Sequence, residues 1–235
     1  ICPATSAVLV RYHSGVTPTQ TRVKAHAMSK TPDKIQLRHR MRTLRAEAAA
    51  RDPDAAEKLA DLFPMKLLER YGPVVAGYVP INEEIDPTPL MQRLSRAGAE
   101  LCLPRVEDDG RMTWRMWSLG EPLERRPFGL SEPGLDAPEA EPTLILTPLL
   151  AFDAMGNRLG YGKGHYDRAI HDLRAAGRAF ACAVAYPAQQ IDAVPAEPHD
   201  QPLDWAVTPI GSVPLFMMRN MKAMNATDGD GPDVA

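Results

Sequence analysis

A glycine-rich segment with cations on both sides is the part of this sequence whose residue types and spacing indicate chemistry. Residues 147–168 read TPLLAFDAMGNRLGYGKGHYDR. Gly160, Gly162 and Gly164 let the backbone approach a ligand closely, because glycine has no Cβ. A buried strand is predicted before the segment and a helix after it, and helix N-termini favour phosphate groups. The segment therefore predicts a polyphosphate site.

The charged residues of this segment favour the same ligand. Arg158 and Lys163 are cationic donors that can bind phosphate oxygens. Asp167 falls in the first turn of the predicted helix, where a carboxylate can hold Mg2+ directly or through water. A glycine-rich turn that only caps the helix, with Asp167 facing its dipole, is the structural alternative. The basic pair together with the acid favours the phosphate site.

Generic nucleotide-binding motifs do not describe this segment. The P-loop pattern is GxxxxGK followed by Ser or Thr. Here the spacing from Gly156 to Gly162 is one residue too long for that pattern, and Gly164 occupies the position of the Ser or Thr. In the dinucleotide motif GxGxxG the third glycine would come one position later than Gly164 does. The pattern is therefore of another kind.

Residues 152–167 (FDAMGNRLGYGKGHYD) resemble the signature of 5-formyltetrahydrofolate cyclo-ligases, also called 5,10-methenyltetrahydrofolate synthetases. The family pattern has two consecutive Tyr before the Asp, whereas this chain has His165 and Tyr166. An imidazole keeps a flat ring and a hydrogen-bonding edge, but it can also become charged near neutral pH. This departure bears on how the substrate packs rather than on the fold.

Four further motifs of the family occur in the expected order, so the resemblance extends from Lys34 to Thr208. They are KIQLR (34–38), NEEID (82–86), FGLSEP (128–133) and PAEPHD (195–200). Each is weak alone, since basic residues spaced along a helix usually form a solvated face. Their order and spacing together favour the family.

The resemblance implies an ATP-dependent enzyme that converts 5-formyltetrahydrofolate into 5,10-methenyltetrahydrofolate. ADP and phosphate are released, and the formyl oxygen is phosphorylated on the way. The residues implied to bind ATP are Lys34, Arg38, Arg158, Leu159, Gly160, Tyr161, Gly162, Lys163, Gly164, His165 and Tyr166. Those implied to bind the folate are Val79, Glu84, Phe128, His165 and Tyr166. Arg158, Lys163 and Tyr166 are implied in catalysis, and Asp167 and Asp200 in holding Mg2+.

Two other functions stay open at this stage. One is a different small-molecule kinase or ATP-dependent ligase with a non-folate acceptor. The other is a non-catalytic folate-binding protein on the same scaffold, to which only His165 points. Arg158, Lys163 and Asp167 argue against the second, because a protein that only binds folate needs no phosphate and metal site.

The elements that must position these residues alternate between helix and strand. Hydrophobic periodicity predicts helices over 33–51, 54–71, 88–97 and 164–176. It predicts strands over 73–80, 100–103, 111–117, 143–147, 180–186 and 205–208, with 111–117 antiparallel, and a loop over 122–142. This order predicts an α/β fold: one three-layer α/β/α domain with a mostly parallel sheet and a basic N-terminal helix.

Composition limits the remaining possibilities. The formal charge of −3 gives no basic field for nucleic acid, and no apolar run approaches the roughly 20 residues of a membrane helix. The 3 cysteines lack zinc spacing. We expect a cytoplasmic monomer with a catalytic domain over 33–215 and a flexible tail over 216–235. The basic, acid-poor residues 1–32 indicate a disordered or upstream extension, or else a mitochondrial transit peptide.

Overall fold

The computed structural model of this protein describes residues 34–177 and 179–227. The side chains of Phe128 and of residues 222–227 are outside this description. The predictions about the extension over 1–32 and about the last residues of the tail, 228–235, fall on parts of the chain that the structure does not describe.

Helices and strands alternate along the described residues. The helices are α1 (Lys34–Arg51), α2 (Ala55–Leu62), α3 (Lys66–Tyr71), α4 (Thr88–Arg96), α5 (His165–Ala176) and α6 (Leu215–Thr227). The strands are β1 (Val74–Ala76), β2 (Glu100–Val106), β3 (Met112–Met116), β4 (Glu124–Arg125), β5 (Ser131–Glu132), β6 (Leu144–Thr147), β7 (Ala151–Phe152), β8 (Arg158–Leu159), β9 (Phe180–Val184), β10 (Trp205–Thr208) and β11 (Gly211–Pro214). None of the described helices is both long enough and apolar enough to cross a membrane.

Among the described residues, seven strands form the central sheet in the order β11-β10-β9-β6-β1-β2-β3. Its inner strands pair in parallel, and the two edge strands, β3 and β11, pair antiparallel with their neighbours. The chain runs from β1 to β2 on one side, and from β6 to β9 on the other. A crevice therefore opens beyond the carboxyl ends of β1 and β6, which is where open α/β sheets bind ligands.

Helices cover both faces of this sheet. Successive residues of a strand point to opposite faces, and both faces carry apolar side chains that the helices bury. In β6, Leu144 and Leu146 pack with α2, α3 and α4, whereas Ile145 packs with α5 on the other face. All three side chains are fully buried. The predicted three-layer α/β/α arrangement with a mostly parallel sheet is thus confirmed.

Helix α1 lies beyond the sheet, against the loops that follow β6. Its buried residues Leu37 and Met41 pack on Leu150, Leu159 and Val194. The helix predicted over 33–51 is confirmed from Lys34 onward. Its apolar face therefore covers the segment that the sequence singled out for chemistry.

The prediction of one continuous helix over 54–71 is wrong, because the chain breaks between α2 and α3. Pro64 follows α2 and has no N–H to donate to a preceding turn. The residue before a proline is also driven out of the helical region. Phe63 is accordingly extended, with φ −66° and ψ 125°.

The flexible tail predicted from residue 216 is also wrong at its start, where α6 continues to Thr227. Leu215 is fully buried. The Arg219 guanidinium donates to a carboxylate oxygen of Asp204 at 3.1 Å and to the carbonyl of Leu203. These tertiary contacts hold a methionine-rich segment that has weak helical periodicity of its own.

Candidate active site

The glycine-rich segment enters the crevice through a small hairpin formed by β7 and β8. Asp153 stands in its turn, is almost fully buried, and accepts four N–H donors. Two are the backbone N–H groups of Met155 and Asn157, at 2.9 and 3.0 Å. The others are the Asn157 side-chain amide and the Val194 backbone N–H, both at 2.9 Å. Asp153 thus fixes the turn that delivers β8 to the site, a role that the sequence did not predict.

Removing this carboxylate has a predictable effect on stability. Asp153→Ala leaves buried N–H groups without an acceptor, and we expect unfolding to become easier by about 3 kcal/mol. Urea denaturation measures this loss. Asp109→Ala is the matched control, because Asp109 accepts the backbone N–H of Arg111 at 2.9 Å in an exposed turn. Equally small losses in both variants would contradict the role of Asp153.

Two of the three glycines in the loop have positive φ angles. These are +99° at Gly162 and +66° at Gly164, the residue before α5. A Cβ at Gly162 would lie 3.2 Å from the guanidinium carbon of Arg38. The Arg38 Nε donates to the carbonyl of Gly160 at 3.0 Å. The loop therefore needs glycine at position 162, and α1 holds it in place through Arg38.

Arg158 lies beneath the loop and pairs with Asp167. Its side chain is 4% exposed, and its guanidinium donates to the Asp167 carboxylate at 2.5 Å. Its other terminal nitrogen is buried without a hydrogen-bond partner among the described residues. The buried Tyr166 hydroxyl also lacks a partner there. Buried polar atoms without partners are rare, so these two groups need an explanation, and a bound ligand would supply the missing partners.

Glu84 follows β1 and meets the glycine-rich loop at the crevice. Its side chain is 4% exposed. The Tyr161 hydroxyl donates to it at 2.9 Å, and the backbone N–H of Ile81 donates at 3.0 Å. Burial raises the pKa of Glu84, although these donors and the charge of Arg45 oppose the rise. Burial also raises the pKa of Tyr161, to about 12, so this hydroxyl keeps its proton near neutral pH.

Arg45 completes this group, and the sequence did not predict it. Its guanidinium lies 2.8 Å from the Tyr161 hydroxyl and 3.4 Å from a carboxylate oxygen of Glu84. It follows Leu37 and Met41 at four-residue spacing, so it belongs to the buried face of α1. The sequence feature that could have identified it is an arginine at a position that helical spacing places on the apolar face of α1.

The carboxylates predicted to hold Mg2+ are both engaged in ion pairs. Asp167 accepts the backbone N–H of Gln201 at 3.0 Å in addition to pairing with Arg158. Asp200 lies 3.6 Å from the Lys34 ammonium, which also pairs with Glu197 at 2.6 Å. Within residues 34–177 and 179–227, no three His, Cys, Asp or Glu side chains gather as a metal-binding group.

His165, which replaces the usual Tyr of the family, begins α5 and is half-buried. One of its ring nitrogens lies 3.2 Å from the Arg168 guanidinium. Burial lowers the pKa of His165, and the charges of Arg168 and Lys163 lower it further. The imidazole is therefore neutral at physiological pH and can act as an uncharged substitute for tyrosine.

The remaining predicted residues differ in how far they are buried. Lys163 is exposed on the glycine-rich loop, and Leu159 is buried in β8. Val79 is partly buried in the segment that leads from β1 to Glu84. Phe128 lies between β4 and β5, where the backbone forms a short 3-10 turn. Its predicted contact with the folate concerns a side chain that lies outside the described atoms.

A separate groove of about 870 Å³ lies beside the first residues of β2. Leu101, Met116 and Trp117 contribute to its lining. None of the predicted site residues lines it. We therefore assign the chemistry to the crevice and not to this groove.

Comparison with known proteins identifies the family of this chain. The sequence profile of the 5-formyltetrahydrofolate cyclo-ligase family matches residues 30–209. A 5-formyltetrahydrofolate cyclo-ligase of Haemophilus influenzae is 30% identical over 181 residues, which cover 74% of this chain and 96% of the relative. One of Mycolicibacterium smegmatis is 37% identical over 147 residues, covering 59% and 74% respectively.

Solved structures agree with the sequence comparison. The 5,10-methenyltetrahydrofolate synthetase of Aquifex aeolicus superposes with a TM-score of 0.64 at 27% identity, covering 86% of this chain and 96% of that one. The synthetase of Mycoplasma pneumoniae, at 21% identity and a TM-score of 0.57, covers 75% and 99% and supports the fold. The chain belongs to the 5-formyltetrahydrofolate cyclo-ligase family.

Proposed function

We propose that this protein converts 5-formyltetrahydrofolate and ATP into 5,10-methenyltetrahydrofolate, ADP and phosphate. The observation that carries the proposal is the 2.9 Å hydrogen bond between Tyr161 and Glu84. It joins the glycine-rich loop to the acidic segment after β1, so that a phosphate-binding element and a folate-binding carboxylate face one crevice. Membership of the family supports the same reaction.

The chemical problem is that a formamide carbon is a poor electrophile and its oxygen a poor leaving group. In the proposed route the formyl oxygen on N5 attacks the γ-phosphorus of ATP, and ADP leaves. The lone pair of N10 then attacks the activated carbon, N10 loses its proton, and phosphate departs with the former formyl oxygen. The methenyl bridge is then closed.

Catalysis of such a phosphoryl transfer depends on positioning and charge stabilisation. We assign Lys34, Arg38 and Lys163 to the phosphates, together with the backbone N–H groups from Gly160 to Gly164. The unpartnered nitrogen of Arg158 supports a contact with the transferring group. No covalent nucleophile is required.

On the folate side, Glu84 has three donors around it and must accept hydrogen bonds from all of them. A carboxylate offers about four lone-pair positions, so about one is left for an N–H group of the pterin. Val79, Phe128, His165 and Tyr166 would enclose the ring. The neutral His165 can serve here without bringing a charge into the pocket.

Magnesium belongs to this proposal through Asp167 and Asp200. Mg2+ is usually held by one or two carboxylates plus the phosphates of the nucleotide, so a three-ligand protein cluster is not needed. The two carboxylates are 20% and 21% exposed and remain accessible. When bound, the ion would neutralise charge on the phosphate oxygens.

The fate of the formyl oxygen tests the route. We expect substrate labelled with 18O in the formyl group to give inorganic phosphate that carries one 18O atom per methenyl product. Mass spectrometry of the released phosphate measures this transfer. Unlabelled phosphate formed in step with product would contradict phosphorylation of the formyl oxygen.

The pH dependence of folate use follows from the raised pKa of Glu84. Because the carboxylate form accepts from the pterin, kcat/KM for folate should fall as pH decreases through that pKa. The decline should therefore begin above the usual carboxyl range near about 4.3. A pH profile measures it, and in Glu84→Gln this limb should disappear. Retention of the same limb in that variant would assign it to another group.

The proposal includes two expectations about the protein as a whole. We propose that it acts as a monomer, since all residues assigned to ATP and folate can come from one copy of the chain, and in the cytoplasm, since the free cysteines Cys102 and Cys182 fit a reducing compartment. Light scattering and fractionation of cells test these two points.

A further inference from the structure

Arg45 is a buried cation on a helix face that otherwise carries apolar side chains. Its side chain is 1% exposed, on the face of α1 that also buries Leu37 and Met41. Burying a guanidinium is costly unless other groups pair with it and accept its hydrogen bonds. An arginine retained at such a position therefore needs a specific partner.

The partners of Arg45 belong to three different segments of the crevice. It donates to the Tyr161 hydroxyl at 2.8 Å, and to Glu84 and the carbonyl of Leu149 at 3.4 Å each. Its guanidinium carbon also lies 5.6 Å from the centre of the Tyr161 ring. Because Tyr161 in turn donates to the same Glu84 oxygen, the three side chains form a closed triangle.

Charge explains what this triangle does. Burial favours the neutral acid of Glu84, and Tyr78 and Tyr166, which also interact with it electrostatically, are neutral phenols that bring no positive charge. Among the described groups that act on Glu84, the Ile81 N–H is the strongest that favours the carboxylate, Arg45 follows and carries a positive charge, and Tyr161 is a further dipolar donor. Arg45 therefore favours the carboxylate form both by its charge and by its hydrogen bond, beside these two dipolar donors.

We infer that Arg45 is a positioning residue that keeps Glu84 ionised and aimed at the folate, acting through the closed triangle with Tyr161. This inference rests on the proposed function, because it concerns the carboxylate assigned to the pterin. It adds to that function a residue of α1 that does not touch the substrate.

Arg45→Met tests the inference, because methionine fills much of the same volume without charge. Arg40→Met is the matched control, since Arg40 is exposed on the same helix. In Arg45→Met we expect KM for folate to rise about 10-fold and KM for ATP to change less than about 2-fold. The acid limb of kcat/KM should move up by about 1 pH unit, because an opposite charge has been lost. Arg40→Met should change none of these.

A titration without turnover separates this inference from the proposed function. Carboxyl 13C resonances of the labelled, substrate-free protein are followed with pH, and Glu84→Gln identifies the resonance of Glu84. We expect its midpoint to rise by about 1 pH unit in Arg45→Met. If the unsubstituted protein forms no methenyl product, the proposed function fails, yet this titration still decides the role of Arg45.

Two further results bear on the same point. In a Glu84→Gln background, Arg45→Met should add little to the loss of folate binding, because coupled residues are not additive. If Arg45→Met does not fold, Arg45→Gln, which removes the charge but keeps an N–H donor for Glu84, replaces it in the titration, and we expect its midpoint to rise as well. An unchanged Glu84 midpoint and folate KM in Arg45→Met, with only the melting temperature altered, would overturn the inference.

Discussion

Replacing Lys163 by alanine should reduce kcat by about 10²- to 10³-fold while the protein stays folded. The ammonium would lie on the glycine-rich loop beside the transferring phosphoryl group, and loss of one such charge-stabilising contact has about this effect. Lys163 is exposed, so its removal leaves no cavity in the core. Steady-state kinetics at saturating ATP, together with thermal unfolding, measures both expectations.

The control for this variant is Lys66→Ala. Lys66 is an exposed lysine at the start of α3, away from the glycine-rich loop in the sequence. It should leave kcat unchanged. A near-normal kcat in Lys163→Ala would remove this residue from the proposed catalytic set, and a rise in the KM for ATP alone would reduce its role to binding.

Glu84→Gln should weaken the use of folate much more than the use of ATP. The amide keeps the size of the side chain but loses the charge, and hydrogen bonds to charged groups contribute about 1.5 to 3 kcal/mol. We therefore expect KM for folate to rise by roughly 10- to 100-fold, and KM for ATP to stay within about 3-fold. Initial rates with each substrate varied in turn give both constants.

The neighbouring residue provides a matched control for this prediction. Glu83 is exposed next to Glu84, so Glu83→Gln makes the same chemical change outside the crevice. It should leave both constants unchanged. Equal losses for the two substrates in Glu84→Gln would contradict the assignment of this carboxylate to the folate, and would instead indicate a general loss of structure around Arg45.

The parts of the fold that were predictable are those with a strong local pattern. Residues 143–147 are an apolar run bounded by polar residues, and the structure has β6 there, fully buried. The glycine-rich loop was equally predictable, because the positive φ values at Gly162 and Gly164 favour glycine at these positions. The break at Pro64 could also have been predicted from the proline itself. The apolar periodicity on both sides of Pro64 instead led to the prediction of one continuous helix.

Other features depend on contacts that the sequence does not display. Asp153 is an ordinary turn residue by type with local donors in Met155 and Asn157, and only the fold adds the N–H of Val194, which is 41 positions away. Arg45 lies 39 positions from Glu84 and 116 from Tyr161. Only the folded chain brings these groups together. Helix α6 likewise follows from tertiary contacts of Arg219 rather than from its own periodicity.

The most direct test of the proposed reaction is one assay that follows two products. Purified protein receives Mg-ATP and 5-formyltetrahydrofolate, and the absorbance of the methenyl product is recorded beside the release of ADP. We expect a one-to-one rise of both that stops when EDTA is added. ADP release without the methenyl chromophore would contradict the proposal in favour of another acceptor, and bound folate with neither product would indicate a non-catalytic protein.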